Sequence, residues 1–91
     1  MISEEDKIIE EREFVFGGEK LIARLYNRKG KGAIYGEIVK SSNNERVENI
    51  KGVAREYLKK YKINIPMDAE TVVTHNAVKM LITELKNEDK E

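Results

Sequence analysis

Hydrophobic and polar residues alternate along the first forty positions in three segments that match one another. Phe14, Leu21 and Ile38 belong to a set of alternate positions that is almost wholly apolar. A slip of one residue in the pairing of these segments would move the whole set to the other face of a sheet. The pattern therefore predicts a three-stranded antiparallel β-meander with one core face. The predicted strands are Arg12–Phe16, Lys20–Asn27 and Ala33–Lys40.

The turns set the predicted register. Gly17-Gly18 is a hairpin signal because both glycines adopt positive φ readily, and it places Phe14 opposite Leu21. The second turn has two interpretations, a two-residue turn at Lys29-Gly30 or a four-residue loop from Arg28 to Lys31, and both give the same pairing. The predicted pairs across it are Leu25 with Ile34, Ala23 with Gly36 and Leu21 with Ile38.

The residues before the first strand also have two interpretations. A serine followed three residues later by an acid has the form of a capping box, which indicates a short helix from Glu4 to Glu11. Alternatively, the same segment extends the first strand, and Ile9 then faces Tyr26.

Apolar residues recur at spacings of three and four in the second half of the chain, which predicts amphipathic helices. The first helix is expected from Asn43 to Lys62, with Ser42 and Glu45 as a capping box and Asn44 as an alternative cap. Gly52 lies inside this helix, where its lack of a side chain would allow close approach of the sheet.

The last helix is expected to begin near Asp68, a good N-cap residue. The β-branched run from Thr71 to Thr74 favours an alternative, a fourth strand followed by a helix that starts at Thr74. Residues 87–91 are expected to form a frayed polar tail. Together the elements predict a single α+β domain over residues 1–91, with the two C-terminal helices packed on one face of the meander.

Composition narrows the class of protein. The chain is 40% hydrophobic and 37% charged, which with its periodicity indicates a globular domain. The absence of cysteine excludes disulfides and thiol chemistry and fits a reducing compartment. The acidic residues 1–6 do not resemble a secretory signal, and apolar runs of at most three residues are too short to span a membrane. A cytoplasmic protein without membrane attachment is expected.

Charge is unevenly distributed although the net charge is zero. Residues 1–20 carry a balance of −4, residues 21–67 a balance of +7 and residues 68–91 a balance of −3. Such a chain can neutralise itself by folding its ends over its middle, or it can present a basic surface to a polyanion.

The residues do not have the form of an enzyme active site. His75 is the only histidine, and beside Val78 and Ile82 at helical spacing it is expected to be packed or exposed rather than catalytic. No carboxylates have the spacing of an EF-hand loop. We therefore expect no catalytic residues, no metal and no cofactor.

The second face of the predicted sheet is half apolar, with two tyrosines and an arginine. In the predicted register Arg24 faces Tyr35 and Ile22 faces Glu37. If both helices cover the first face, this face is open, and Tyr and Arg are common at the energetic centres of protein interfaces. We expect a non-enzymatic adaptor, inhibitor or regulator that binds another protein or itself, a homodimer included. The expected interface residues are Val15, Ile22, Arg24, Tyr26, Tyr35 and Val39.

A basic hairpin tip and a basic helix stripe support the alternative hypothesis, a nucleic-acid-binding protein that straddles phosphates. Lysines on an exposed helix face are also common on ordinary solvated surfaces, and Glu56 is placed to pair with Lys60. The expected contacts are Arg28, Lys29, Lys31, Lys51, Arg55, Lys59 and Lys62.

Overall fold

The fold combines a three-stranded sheet with two helices on one side of it. The computed structural model describes residues 6–28, 32–62 and 74–89. The sheet is antiparallel with strand order β1-β2-β3, so the predicted α+β meander is confirmed. The elements are β1 (Lys7–Phe16), β2 (Glu19–Asn27), β3 (Ile34–Lys40), α1 (Ile50–Leu58), a 3₁₀ turn (Lys59–Tyr61) and α2 (Thr74–Asp89).

The first hairpin matches the prediction. Gly17 and Gly18 have φ angles of 60° and 78°, as a type I′ turn requires. Phe14 lies opposite Leu21 across this turn. The two glycines thus fix the register of β1 against β2.

The strand interpretation of the N-terminal segment is confirmed from Lys7 onwards, and the helix from Glu4 to Glu11 is wrong for the described part of that range. A register shift between Ile8 and Glu10 places Ile8, rather than Ile9, opposite Tyr26. Pairing with β2 satisfies backbone groups that a two-turn helix would leave largely open at its ends.

The predicted register of β2 against β3 is wrong by two residues. Six residues, 28–33, connect the strands, and Leu25 lies opposite Gly36 rather than Ile34. Every residue keeps its predicted face, because a shift of two preserves the alternation. A Cβ on Gly36 would lie 2.8 Å from the His75 Cα, so the lack of a side chain at this glycine allows α2 to approach the sheet closely.

The first helix begins seven residues later than predicted. Residues 41–47 turn back along β3, and Arg46 forms an isolated bridge with Val39. The N-cap is Asn49, whose side chain accepts a 3.1 Å hydrogen bond from the Gly52 backbone N–H. The predicted capping box at residues 42–45 is therefore wrong. A Cβ on Gly52 would meet the Asn49 side chain, so this glycine serves the cap rather than contact with the sheet.

The second helix is described from Thr74 to Asp89 and includes residues 87–89 of the predicted tail. The predicted cap Asp68 and residues 71–73 of the alternative fourth strand lie outside the described residues. The N-terminal end of α2 packs against β3 at Gly36, and its Lys86 pairs with Glu10 of β1 at 2.7 Å. The helix therefore crosses all three strands.

The core lies between the sheet and the helices. Phe14 packs edge-on against Tyr57 of α1, with ring centroids 5.0 Å apart. The predicted core face is confirmed, since its central residues are buried in one cluster with the helices. The buried residues of this cluster, from the sheet and both helices, are Phe14, Leu21, Ala23, Leu25, Ile38, Ile50, Ala54, Leu58, Ala77, Val78, Leu81, Ile82 and Leu85.

Candidate protein interface

The second face of the sheet is organised in rows that run across the three strands. In one row, Arg24 of β2 lies opposite Glu37 of β3. In the next row, Tyr26 of β2 lies opposite Tyr35 of β3. The predicted pairs of Arg24 with Tyr35 and of Ile22 with Glu37 are wrong, because the longer connection shifts β3 by two residues. Ile22 instead lies opposite Val39.

The central row is an ionic triad of Glu11, Arg24 and Glu37. The Arg24 Nε donates to Glu11 Oε2 at 2.8 Å, and its Nη1 donates to Glu37 Oε2 at 3.2 Å. Glu37 is only 1% exposed, and its Oε1 is buried without a hydrogen-bond partner. Burial of an unpaired carboxylate lowers the stability of the folded state, so the ion pair with Arg24 offsets the desolvation of Glu37.

The neighbouring row is aromatic. The rings of Tyr26 and Tyr35 stack with centroids 5.8 Å apart. The guanidinium of Arg28 lies 4.9 Å from the Tyr35 centroid, and its hydrogen bond with Tyr26 raises the pKa of Arg28. The cation that lies over the Tyr35 ring is therefore Arg28 and not Arg24, which the predicted register had placed opposite Tyr35.

The expectation that this face is open is wrong at its centre. Tyr26 and Val39 are buried, while Ile22, Arg24 and Tyr35 are partly exposed. Of the six predicted interface residues, only Val15 is largely exposed, at 60%. The exposed large hydrophobic residues of this face therefore lie on β1.

β1 carries most of the exposed large hydrophobic residues in the described part of the chain. Three of the five exposed large hydrophobic residues there are Ile8, Ile9 and Val15, all on β1. The acids between them, Glu11 and Glu13, are about half exposed. Sequence reasoning listed Val15 but missed Ile8 and Ile9, because the helix interpretation competed for that segment.

Among the described residues, β1 has a strand on one side only, so its outer backbone groups have no strand partner there. A two-residue hairpin makes Phe16 and Glu19 a hydrogen-bonded pair, and such pairs alternate with non-hydrogen-bonded ones along an antiparallel ladder. The alternation places the N–H and C=O groups of Glu11, Glu13 and Val15 on the free edge. At the opposite edge, in contrast, residues 45–47 hydrogen-bond to residues 38–40 of β3.

The predicted basic helix stripe is partly neutralised within its own helix. Arg55 and Lys59 pair with Glu56 at 3.3 and 3.0 Å. The hydrogen bond from Lys59 lowers the pKa of the Glu56 carboxyl, and that from Arg55 adds to it. The expected Glu56–Lys60 pair is wrong. Lys60 instead donates to the Tyr57 hydroxyl at 2.7 Å, which raises the pKa of Lys60, and it pairs with Glu88 at 3.3 Å.

Arg28 does not join this stripe. Tyr57 packs on Phe14 at the Leu21 end of β2, whereas Arg28 follows the other end of that strand. Arg28 follows Leu21 by seven residue steps, which is about 23 Å of extended chain. Lys51 is partly exposed and Lys62 exposed, and the two remaining predicted contacts, Lys29 and Lys31, lie outside the described residues. Nucleic-acid binding stays a prediction, which a mobility-shift assay with DNA and RNA at low salt would test.

Comparison with known proteins adds no family to these observations. No protein-family model, no curated protein and no solved structure matches the chain. Within residues 6–28, 32–62 and 74–89, no three His, Cys, Asp or Glu side chains are grouped to hold a metal ion. No helix in this described portion is both long and apolar enough to cross a membrane.

Proposed function

We propose that this protein is a small non-enzymatic interaction module that binds a polypeptide along the outer edge of β1. The observation that carries the proposal is the combination, on one ten-residue edge strand, of outward backbone groups and the exposed residues Ile8, Ile9 and Val15. The absence of cysteine supports a cytoplasmic setting for this binding.

Strand addition is the mode of binding that fits this edge. An added strand forms main-chain hydrogen bonds with the free N–H and C=O groups, and its alternate side chains meet those of β1. Natural proteins protect unused edges with charges, bulges or short strands. β1 is long, and its bulge at Ile9 and its acids restrict which strands can pair with it. The occupant is either another protein or a second copy of this chain.

A pair of variants at Glu13 tests the proposal. Glu13→Pro removes an outward N–H that β2 does not use, and Glu13→Ala keeps that N–H while losing the same side chain. Both lose the side-chain contacts of Glu13 with Lys20 and Ser41, so they are matched in that respect. Thermal unfolding would check that both fold.

The readout is cross-linking in cells through a photoreactive residue at position 15, combined with light scattering of the purified chain. We expect a defined cross-linked product, or a dimer, that Glu13→Pro abolishes and Glu13→Ala retains. An identical product pattern for the two variants would contradict binding through the β1 backbone.

A further inference from the structure

We infer that the occupant of the β1 edge is a different polypeptide, whose strand carries lysine or arginine opposite Glu11 and Glu13 and apolar residues opposite Ile8 and Val15. This inference rests on the proposed function and specifies its partner.

The side chains that would meet an added strand form a symmetrical pattern. Val15, Glu13 and Glu11 alternate on the second face, and after the bulge Ile8 continues the same row of positions. Each is about half exposed or more. The order is apolar, acidic, acidic, apolar, so a complementary strand reads apolar, basic, basic, apolar at alternate positions. Because this order is the same in both directions, it applies to parallel and antiparallel addition.

The charges behind this row favour a cationic partner. Three carboxylates, those of Glu11, Glu13 and Glu37, share two cations, Arg24 and Lys20, which leaves one negative charge. The Glu37 Oε1 has no hydrogen-bond partner and is shielded from solvent, where salt screens it less than an exposed charge. A lysine or arginine opposite Glu11 would be attracted mainly by that half-exposed carboxylate and by the neighbouring Glu13, because Glu37 lies two strands further in with Arg24 between.

A second copy of this chain fits the same edge poorly. When two β1 strands pair antiparallel about a twofold axis at Arg12, Glu11 of each copy lies opposite Glu13 of the other. When the axis lies at Glu11 or Glu13, that residue lies opposite itself. Like charges directly opposite each other destabilise a strand pair. Every twofold register centred on residues 11–13 therefore contains at least one acid–acid pair. A register centred on Phe14 avoids such pairs but overlaps only residues 12–16 of β1, so self-pairing along the full edge is disfavoured.

Two synthetic peptides test the inference on the full chain. The first is Val-Thr-Lys-Thr-Lys-Thr-Val with blocked ends, and the control replaces both lysines with glutamate. We expect the lysine peptide to slow amide hydrogen exchange at Glu11, Glu13 and Val15 but not at Phe14, whose N–H faces β2. It should bind about tenfold more tightly than the control, since two favourable cross-strand charge pairs replace two unfavourable ones.

Glu13→Lys provides the matched protein variant, because Glu13 has only exposed contacts to lose, the 3.7 Å ion pair with Lys20 and a 3.4 Å hydrogen bond from the Ser41 hydroxyl. It should reduce or abolish the preference for the lysine peptide. Equal binding of both peptides to the wild type would overturn the charge selection and leave strand addition intact. Protection that rises with protein concentration alone, with a dimer in light scattering, would identify a second copy as the occupant and overturn the inference only. Absence of protection under all of these conditions would overturn the inference together with the proposed function.

Discussion

The two faces of the sheet are both buried at their centres, but by different means. On the first face, Ala23 and Ile38 are fully enclosed by aliphatic side chains of α1 and α2. On the second face, the equally buried Glu37 is held by an ion pair with Arg24, beside the stacked rings of Tyr26 and Tyr35. The comparison shows that burial in a small domain does not identify an apolar core, and that the exposed large hydrophobic residues of the second face lie on β1.

The largest effect should come from the apolar face. Ile38 is 0% exposed, so Ile38→Ala should lower the free energy of unfolding by about 4 kcal/mol through lost burial and a residual cavity. Val15→Ala, on the exposed edge, should change it by about 0.5 kcal/mol or less. Chemical denaturation of the two variants measures the contrast. Similar losses would mean that Val15 is covered in solution.

On the polar face, the next largest effect should follow loss of the Arg24 cation. Arg24→Met leaves the Glu37 carboxylate buried without a counter-charge and should cost about 3 kcal/mol in unfolding free energy. Glu37→Gln should cost less, because Arg24 keeps its 2.8 Å contact with Glu11.

The double variant Arg24→Met/Glu37→Leu sharpens this point. Replacing both charges by apolar groups of similar volume is often neutral, so it should recover most of the stability lost in Arg24→Met. Urea denaturation gives all three values. A double variant as unstable as Arg24→Met would show that the triad stabilises the face by more than mutual compensation of charges.

A smaller loss of stability is expected at Gly36, where α2 contacts the backbone of the sheet on its first face. Gly36→Ala places a Cβ 2.8 Å from the His75 Cα and 3.0 Å from the Val78 Cβ, and should cost about 2 kcal/mol because the helix backbone must move. Gly17→Ala, at a φ of 60° with no atom within 4 Å, is the control for backbone strain alone, at about 1 kcal/mol. A neutral Gly36→Ala would mean that α2 shifts freely over β3.

The smallest effect is expected for the exposed ion pair between Lys59 and Glu56. Its contribution to stability can be compared with that of the buried Arg24–Glu37 pair. Lys59 and Arg55 lower the pKa of Glu56, so the stabilisation from this carboxylate is complete above its ordinary pKa and is lost as the pH falls through the lowered value. A carboxyl titration by NMR should find the Glu56 midpoint below that of an unpaired glutamate. Lys59→Ala should move it upwards, and an unchanged midpoint would show that the Lys59 hydrogen bond does not form in solution.

The differences between prediction and structure arise where a contact between two elements outweighs a local sequence signal. The sequence pairing of β2 with β3 maximised contacts such as Leu25 with Ile34, but the close approach of α2 requires Gly36 opposite Leu25, and Ile34 remains exposed. The helix start at Ser42 was a sound local signal. The chain instead uses residues 45–47 to pair with β3 and caps α1 with Asn49. In both cases a contact with another element outweighed the local signal: α2 against Gly36 in the first, and β3 against residues 45–47 in the second.

For the candidate site, too, local sequence signals predicted some features and contacts between elements decided others. Alternation correctly placed Val15, Arg24 and Tyr26 on one face, yet it could not tell which of them are accessible. The position of β1 at the edge follows from the meander order, whereas the exposure of Ile8 depends on a bulge that no residue type in that segment signals.

The amino-acid sequence by itself determined the meander, the first hairpin and the face on which each strand residue from Glu10 onwards lies. It did so because alternation and glycine turns are properties of neighbouring residues. Only the tertiary structure decided the β2–β3 register, the beginning of α1 and the burial of Glu37. These depend on how a helix, a returning loop and a cation from another strand meet, and such encounters leave no periodic trace along the chain.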